Sequence, residues 1–487
     1  METNAASSHG EGESMETLLQ SLNITAPDEI LRRCRILLDE IQLFAEACDK
    51  KKHYKDWRRP EANYSPFRTI LKAEAKQMEK IITTKMDPKR VQQLVGTSNF
   101  SFVEAIWNIA KSRSAISVIH SPSYPAVDIV AQNGLQWIKV STMAEKRLLM
   151  DMAKQGWDWQ GASDSDSDGD KDLKDSKVKI DLENEEDDIP LVKTAKRLIK
   201  ASREKRVIYR WPQAQLVLTR IFSGNKDIDA LLDSIRLLGC TVQTAGQIPL
   251  TPSIDSVLDD LVVDDRRSFS TTLNIDCTIL LGLVSDISHG RVEEQPWFNN
   301  DIRRQIKSEE VEKLMPNILW PTLCGHPLIC TKLAIYRMRE IVDLIGTPTE
   351  KIRTAILMGD DTSLDPQALL DKFQEHSDYP VPATWQLPIQ VFDTQITDLS
   401  PLAQAVADEL SDLNVSVFMT GWTQNFTTIT SNRVAIKHIE KTFEANRTND
   451  SDVGPDVWVC PLARSLVAKE KNRGQGGGSR ESTDGYV

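Results

Sequence analysis

Apolar residues recur at helical spacing early in the chain. Ile30, Leu31, Cys34, Leu37, Leu38, Ile41 and Phe44 fall on one stripe of a 3.6-residue period. Ahead of them Thr25-x-x-Asp28 has the form of a capping box, with Asp a shorter partner than the usual Glu. Further helices are expected over 66–83 and from Ser101, where Glu104 stands three residues on. Such stripes are core faces more often than partner grooves, so these helices read as an N-terminal packing layer. From Ala126 the period shortens. Ala-Val-Asp-Ile-Val, then Gln132-Asn133-Gly134, then Leu-Gln-Trp-Ile-Lys-Val predicts a β-hairpin, because Asn-Gly tolerates the positive φ of a tight turn. A helix over 143–155 follows. Past a low-complexity stretch come a helix from Pro190 to Lys205, a strand at 215–218, a helix at 227–238 ended by Gly239, and a strand at 240–243. This β-α-β order predicts that the sheet begun at Ala126 continues beyond the interruption.

Residues 250–268 read as a polar linker. The pattern then alternates: strand 272–276, helix 278–286, and helices near 308–318 and 329–345, the last ended by Gly346. Thr347-Pro348-Thr349-Glu350 combines an N-cap, proline at the first helical position and a capping-box acid, and so starts another helix. Strand 387–392, helix 399–412, strands 415–419 and 427–430, helix 433–444 and strand 457–460 complete the series. The expected fold class is α/β: an N-terminal α+β lobe with a helical start, then a mainly parallel sheet with helices on both faces.

Composition changes this picture little. The 487 residues are 40% hydrophobic and 27% charged, a globular balance, and the length suggests two or three domains. No apolar run approaches the roughly 20 residues that span a bilayer. The polar, acidic opening from Met1 to Glu16 resembles neither a secretory nor a transit signal. We expect a cytoplasmic or nuclear protein with no membrane partner. Charge is uneven: from Ser163 to Asp188 nine Asp and three Glu face four Lys, a net −8 of the chain's −12, leaving −4 elsewhere. That segment lacks the apolar content to offset its ordering entropy. It reads as a solvated insertion, with Ser163, Ser165 and Ser167 also suited to an acid-directed kinase. The seven cysteines include no Cys-x-x-Cys pair and fit free thiols. Cys324, His326 and Cys330 are the nearest approach to a zinc set, and a core role for these cysteines is the stronger reading. No Walker A loop, dinucleotide-binding glycine motif, His-Glu-x-x-His motif or Ser-His-Asp arrangement is present.

The leading chemical candidate is Asp276. It ends an apolar strand, is followed by Thr278, and so stands where open α/β sheets place their ligands. Such a carboxylate can ligate Mg²⁺ or Mn²⁺ and serve phosphodiester hydrolysis. It can equally cap the following helix, which is the slightly stronger reading.

The segment Leu273–Gly290, with Val127-Asp-Ile-Val-Ala-Gln-Asn-Gly-Leu-Gln-Trp-Ile-Lys-Val140, resembles the uncharacterised eukaryotic family of human chromosome seven open reading frame twenty-five. The C-terminal part of that family resembles PIN-like (PilT N-terminal) nuclease domains. The likeness covers residues 25–160 and 190–468 and implies a C-terminal three-layer α/β/α sandwich. It aligns Asp276 with the first PIN-type acid and Thr278 with a neighbouring hydroxyl. Relatives place an acid after the cysteine matching Cys330, where this chain has Thr331. Relatives also carry Gly-Thr-Gly-Asp, where this chain has Met419-Thr-Gly-Trp422, and Asn432 remains as a neutral oxygen donor.

Asp393, ending strand 387–392, is the best substitute acid, so the candidate metal set is Asp276, Asp393 and Asn432. Glu340 and Glu350 read instead as a helix-face acid and a helix-terminus acid. Asp128 and Lys139 echo restriction-endonuclease-like sites, but the middle acid falls at Trp137, a cross-strand packing residue. Basic clusters at Lys50–His53 with Trp57-Arg58-Arg59, at 193–206 and at Arg303-Arg304 are candidate RNA contacts, with solvated helix faces the default.

The expected organisation is disorder over 1–16, an N-terminal α+β domain over 17–249 with an acidic insertion at 161–189, a linker at 250–268, a PIN-like domain over 269–470 and a disordered tail at 471–487. The expected function is a catalytically degenerate scaffold that binds RNA or protein. The alternative is an Mg- or Mn-dependent ribonuclease or DNase using Asp276 with a non-standard second acid.

Overall fold

A computed structural model describes residues 26–84, 86–155, 189–393 and 396–467. The expected cap Thr25, the acidic segment with its serines and the glycine-rich tail lie outside the described residues. The chain forms two compact units, one running to Asp265 and taking in Asn449–Val453, the other Arg266–Thr448 together with the chain from Gly454. Among the described residues no helix is long and apolar enough to cross a membrane.

The first unit opens with α1 (Pro27–Lys51), α2 (Ser65–Thr83), α3 (Pro88–Gly96) and α4 (Phe100–Lys111). Helix α1 starts from Pro27 at its first turn with no side-chain cap, and its stripe of Ile30, Cys34, Leu37, Ile41 and Phe44 is buried. Strand β1 (Val118–Ile119), β2 (Ile129–Ala131), β3 (Gln136–Ser141), α5 (Glu145–Lys154), α6 (Pro190–Ser202), β4 (Gln213–Leu218), α7 (Lys226–Leu237) and β5 (Thr241–Gln243) follow. The sheet order is β1-β2-β3-β4-β5, antiparallel across the first two pairings and parallel across the last two. The sheet does continue across the acidic segment. The hairpin turn holds Gln132, Asn133 and Gly134 all at positive φ, 52°, 57° and 93°. A Cβ on Gly134 would stand 2.7 Å from Pro60 Cδ, so only glycine fits there.

Period-two alternation divides the core. Ile129, Ile138, Val140 and Val217 pack toward α1–α4, whereas Val130, Trp137, Leu216 and Leu218 pack with residues of α5, α6 and α7. Residues 250–268 are not an unstructured polar linker. They contain α8 (Ile254–Leu261), and Ile254, Leu261 and Val262 join the core of the N-terminal helices. The acids within α8, Asp255, Asp259 and Asp260, occupy its exposed face, while Asp264 and Asp265 beyond it are buried.

The second unit has β6 (Leu273–Ile275), α9 (Cys277–Val284), α10 (Asp286–His289), α11 (Asn300–Glu312), α12 (Trp320–Leu323) and β7 (Leu328–Thr331). Then come α13 (Lys332–Ile345), α14 (Pro348–Met358), α15 (Pro366–Gln374), β8 (Gln390–Phe392), α16 (Pro401–Ala407), α17 (Asp412–Asn414) and α18 (Thr420–Gln424). Strand β9 (Thr427–Thr430), α19 (Arg433–Asn446) and β10 (Val457–Val459) close the unit. The sheet order is β10-β9-β6-β7-β8, all parallel, so the chain is an α/β protein as expected.

Two expectations fail here. Residues 328–331 form strand β7, not the start of a helix, because a short buried apolar run carries no period that separates the two. Val415–Met419, expected as a strand, is a π-helical turn leading into α18, with Val417, Phe418 and Met419 buried. The Thr347 capping box forms as predicted, with Thr347 Oγ1 accepting from Glu350 N and Glu350 Oε2 accepting from Thr347 N.

Candidate functional site

Strand β6 is central. The chain leaves it toward β7 and β8 on one side, and later returns to its other side at β9 and β10. The crevice between the carboxyl ends of β6 and β9 is therefore the topological switch point, where open α/β sheets hold ligands. Asp276 follows β6 and Thr430 ends β9, so both stand at that point.

Asp276 is 3% exposed. It occupies the N-cap position of α9 in extended conformation, but its side chain makes no capping hydrogen bond. Instead Thr430 Oγ1 donates to Asp276 Oδ2 at 2.6 Å and Thr278 Oγ1 donates to the same oxygen at 2.7 Å. Each hydroxyl oxygen also accepts from the β9–α19 turn: Ser431 N reaches Thr278 Oγ1 at 3.0 Å and Asn432 N reaches Thr430 Oγ1 at 2.9 Å. The carboxylate is thus a latch tying the end of β6 to the end of β9. Burial pushes its pKa up, opposed by the Thr430 and Thr278 hydroxyls and by the nearby Cys277 and Thr278 amides. Burial, with the Asp276 charge adding to it, also pushes the Cys277 thiol up to about 12.

The other expected ligands are not gathered around Asp276. Asn432 Oδ1 accepts from Ala435 N at 3.0 Å and caps α19. Thr331 Oγ1 accepts from Ala334 N at 3.3 Å and caps α13. Asp393 follows β8, which β7 separates from β6, and its exposed carboxylate pairs with Lys332 at 3.0 Å. At about 4.8 Å per strand spacing, that sets Asp393 some 10 Å to the side. Trp422 packs its ring against Phe443 at 6.0 Å between centroids. Among the described residues no three His, Cys, Asp or Glu side chains are grouped to hold a metal, and Cys324, His326 and Cys330 are no exception. A divalent ion needs several hard oxygen ligands. One buried carboxylate already accepting two hydroxyls does not fit it.

The remaining candidates have structural partners. Glu350 is fully buried, and its Oε1 accepts from Asp286 N and Val467 N. Glu340 is an exposed partner of Arg337. In the first unit Asp128 is buried and accepts from Lys139 Nζ at 3.0 Å and Val140 N at 2.8 Å, with His120 Nδ1 at 3.1 Å. Trp137 donates to Gly134 O and meets Tyr124 edge-on, a packing role. Arg58 pairs with Asp56, Arg59 with Asp265, Lys51 with Asp259, Arg303 with Glu294 and Arg304 with Asp301.

Sequence reasoning missed two polar centres of the second unit, one half-buried around Asp286 and one buried around Glu309. Asp286 accepts from Thr347 Oγ1, Thr349 Oγ1 and Arg353 Nη1 at 2.5–2.7 Å. Glu309 Oε2 accepts from Arg464 Nε and Nη2. The Asp286 centre has a local trace, since the Thr347 capping box supplies two of its partners; Glu309 and Arg464 lie 155 residues apart and leave none.

The second unit is therefore a parallel α/β unit with a closed switch point. Its residues 273–375 match the model of a family described as "Protein of unknown function (DUF1308)". The matched stretch carries β6, Asp276, β7, Thr331 and the Thr347 capping box, while β8, β9 and β10 fall beyond it. No curated protein and no solved structure matches the chain.

Proposed function

We propose that the C-terminal unit is a catalytically degenerate PIN-like module that binds a partner without cleaving nucleic acid. The observation that carries this reading is the latch at the switch point. The one acid at the ligand position holds two strand ends together through Thr278 and Thr430, and Asn432 and Thr331, past or at the ends of the neighbouring strands, serve as helix caps. A nuclease would need that carboxylate free and a second acid within reach of one ion.

A protein partner is favoured over RNA by two features. Five of the expected basic contacts, Lys51, Arg58, Arg59, Arg303 and Arg304, are engaged with carboxylates. Leu333 and Tyr336 in the first turns of α13, and Val434 in the first turn of α19, are exposed apolar residues at the carboxyl edge of the sheet.

The test incubates the full chain with labelled RNA and DNA in Mg²⁺, Mn²⁺ or EDTA, alongside Asp276→Asn. No metal-dependent cleavage is expected from either protein. Cleavage in Mg²⁺ or Mn²⁺ that Asp276→Asn abolishes would establish the nuclease instead.

A further inference from the structure

The core-facing side of the N-terminal sheet turns polar at one margin. Gln136 opens β3, Gln215 lies in β4 and Gln243 ends β5, with the register pairing Gln215 beside Ile138 on the face that carries Ile138, Val140 and Val217. Arg113, two residues past the end of α4, reaches the last two of these amides. Its Nη2 donates to Gln243 Oε1 at 2.6 Å and to Gln215 Oε1 at 3.5 Å, and its Nη1 lies 3.3 Å from Ser112 Oγ. All four groups line a cavity of about 550 Å³, together with Lys111 and, at its exposed margin, Asp260.

Lys111, Arg113 and Asp260 are the charged residues lining this cavity. Lys111 is held by Glu40 at 2.9 Å. Among the described residues no carboxylate pairs with Arg113, whose hydrogen bonds go only to neutral oxygens. Its Nε is buried without a partner. Gln136, only 8% exposed, donates through Nε2 to Gln215 Oε1 at 2.9 Å, which leaves its Oε1 buried and unpaired. The amide orientations are fixed by one another: Gln215 Oε1 already accepts from both Arg113 and Gln136, so turning Gln136 round would set two oxygens face to face. Burial lowers the Arg113 pKa, as expected for a cation taken from water without a counter-ion. A part-buried guanidinium with an orphan donor, beside an orphan amide oxygen, is costly to fold unless something occupies the space.

We infer that this cavity is a binding site for a small carboxylate-bearing molecule, with Arg113 holding the carboxylate and Gln136 Oε1 accepting from an N–H or O–H on the same ligand. The planar guanidinium fork matches a carboxylate, and the Asp260 carboxylate on the same lining disfavours a more highly charged phosphate. The site lies in the N-terminal unit and is independent of the role proposed for the C-terminal one.

The probes are acetate, L-glutamate and L-lactate, each with its uncharged amide or ester counterpart, and inorganic phosphate. They are added at millimolar concentration to the full chain and to Arg113→Met, Arg113→Lys and Gln136→Leu. Unfolding is followed by thermal denaturation, and binding by isothermal titration calorimetry. At least one carboxylate is expected to raise the wild-type midpoint while its counterpart does not. Arg113→Met should abolish that shift and Gln136→Leu should weaken binding about tenfold, the effect of losing one hydrogen bond of about 1.4 kcal/mol. Without ligand, Arg113→Met should unfold at or above the wild-type midpoint, since it removes an unpaired charge. A lower ligand-free midpoint for Arg113→Met and Arg113→Lys alike would make Arg113 a structural residue and overturn the inference. So would stabilisation by phosphate alone, or a panel in which no carboxylate acts through Arg113.

Discussion

The Asp276 latch makes a prediction that separates a structural carboxylate from a metal ligand. In Asp276→Ala the hydroxyls of Thr278 and Thr430 lose their shared acceptor. Thr278 is half-buried and can turn toward water, but Thr430 is fully buried and cannot. The loss therefore reduces to one orphaned buried donor, about 1–3 kcal/mol. Asp276→Asn keeps an oxygen for the hydroxyls and removes a buried charge, so it should stay within about 1 kcal/mol of wild type at neutral pH. The two should also differ with pH. The folded protein holds the Asp276 proton more tightly than the unfolded chain, because burial raises its pKa above 3.8. Stability from this group is thus greatest in acid and falls as pH rises from the ordinary carboxylate range through the folded pKa. Asp276→Asn lacks that dependence and should gain on wild type as pH rises. Hydrogen exchange on peptides covering β6 and β9 resolves the effect from the rest of the chain. Exchange should quicken in Asp276→Ala, stay near wild type in Asp276→Asn, and be indifferent to Mg²⁺. A bound ion at a hundred times its Kd would add about 2.7 kcal/mol of protection. If Mg²⁺ slows exchange in wild type but not in Asp276→Asn, or if Asn is as damaging as Ala, the latch reasoning is refuted.

Three further outcomes follow from the second unit. Arg464→Met strands Glu309, whose pKa burial already raises, and should lower stability by about 3–5 kcal/mol at neutral pH; the loss should shrink in acid as Glu309 protonates, measurable by urea denaturation at two pH values. A Cβ on Gly421 would collide with Thr428 Oγ1, itself bonded to Asn274, so Gly421→Ala should cost about 1–3 kcal/mol and open β9 to exchange. Burial lowers the His289 pKa from 6.5 to about 3, so its ring resonances should not titrate between pH 7 and about 4. The unfolded chain binds that proton more readily, so the stability His289 contributes is present above 6.5 and is lost as pH falls toward 3, seen as acid unfolding.

Local sequence determined much of this architecture. The α1 stripe, the Asn-Gly hairpin, the Thr347 capping box and the β-α-β order each depend on residues a few positions apart, whose periods and turn chemistry act before any tertiary contact forms. Asp276 at the end of β6 was legible for the same reason. Where local signals are degenerate, the reading failed. Leu328–Thr331 and Val415–Met419 are short apolar runs that suit strand or helix equally, and only the neighbouring strands or helices decided between them. The 250–268 stretch looked polar because its acids outnumber the few apolar residues that α8 buries.

The role of Asp276 was decided by tertiary structure alone. Its partner Thr430 lies 154 residues away, and parallel pairing of β6 with β9 brings the two hydroxyls onto one oxygen. The same holds for Arg113, whose partners Gln215 and Gln243, with Gln136 bonded to Gln215, come from three strands. Sequence spacing supplies the residue types that chemistry requires, but hydrogen bonding and burial depend on which distant segments the fold makes neighbours.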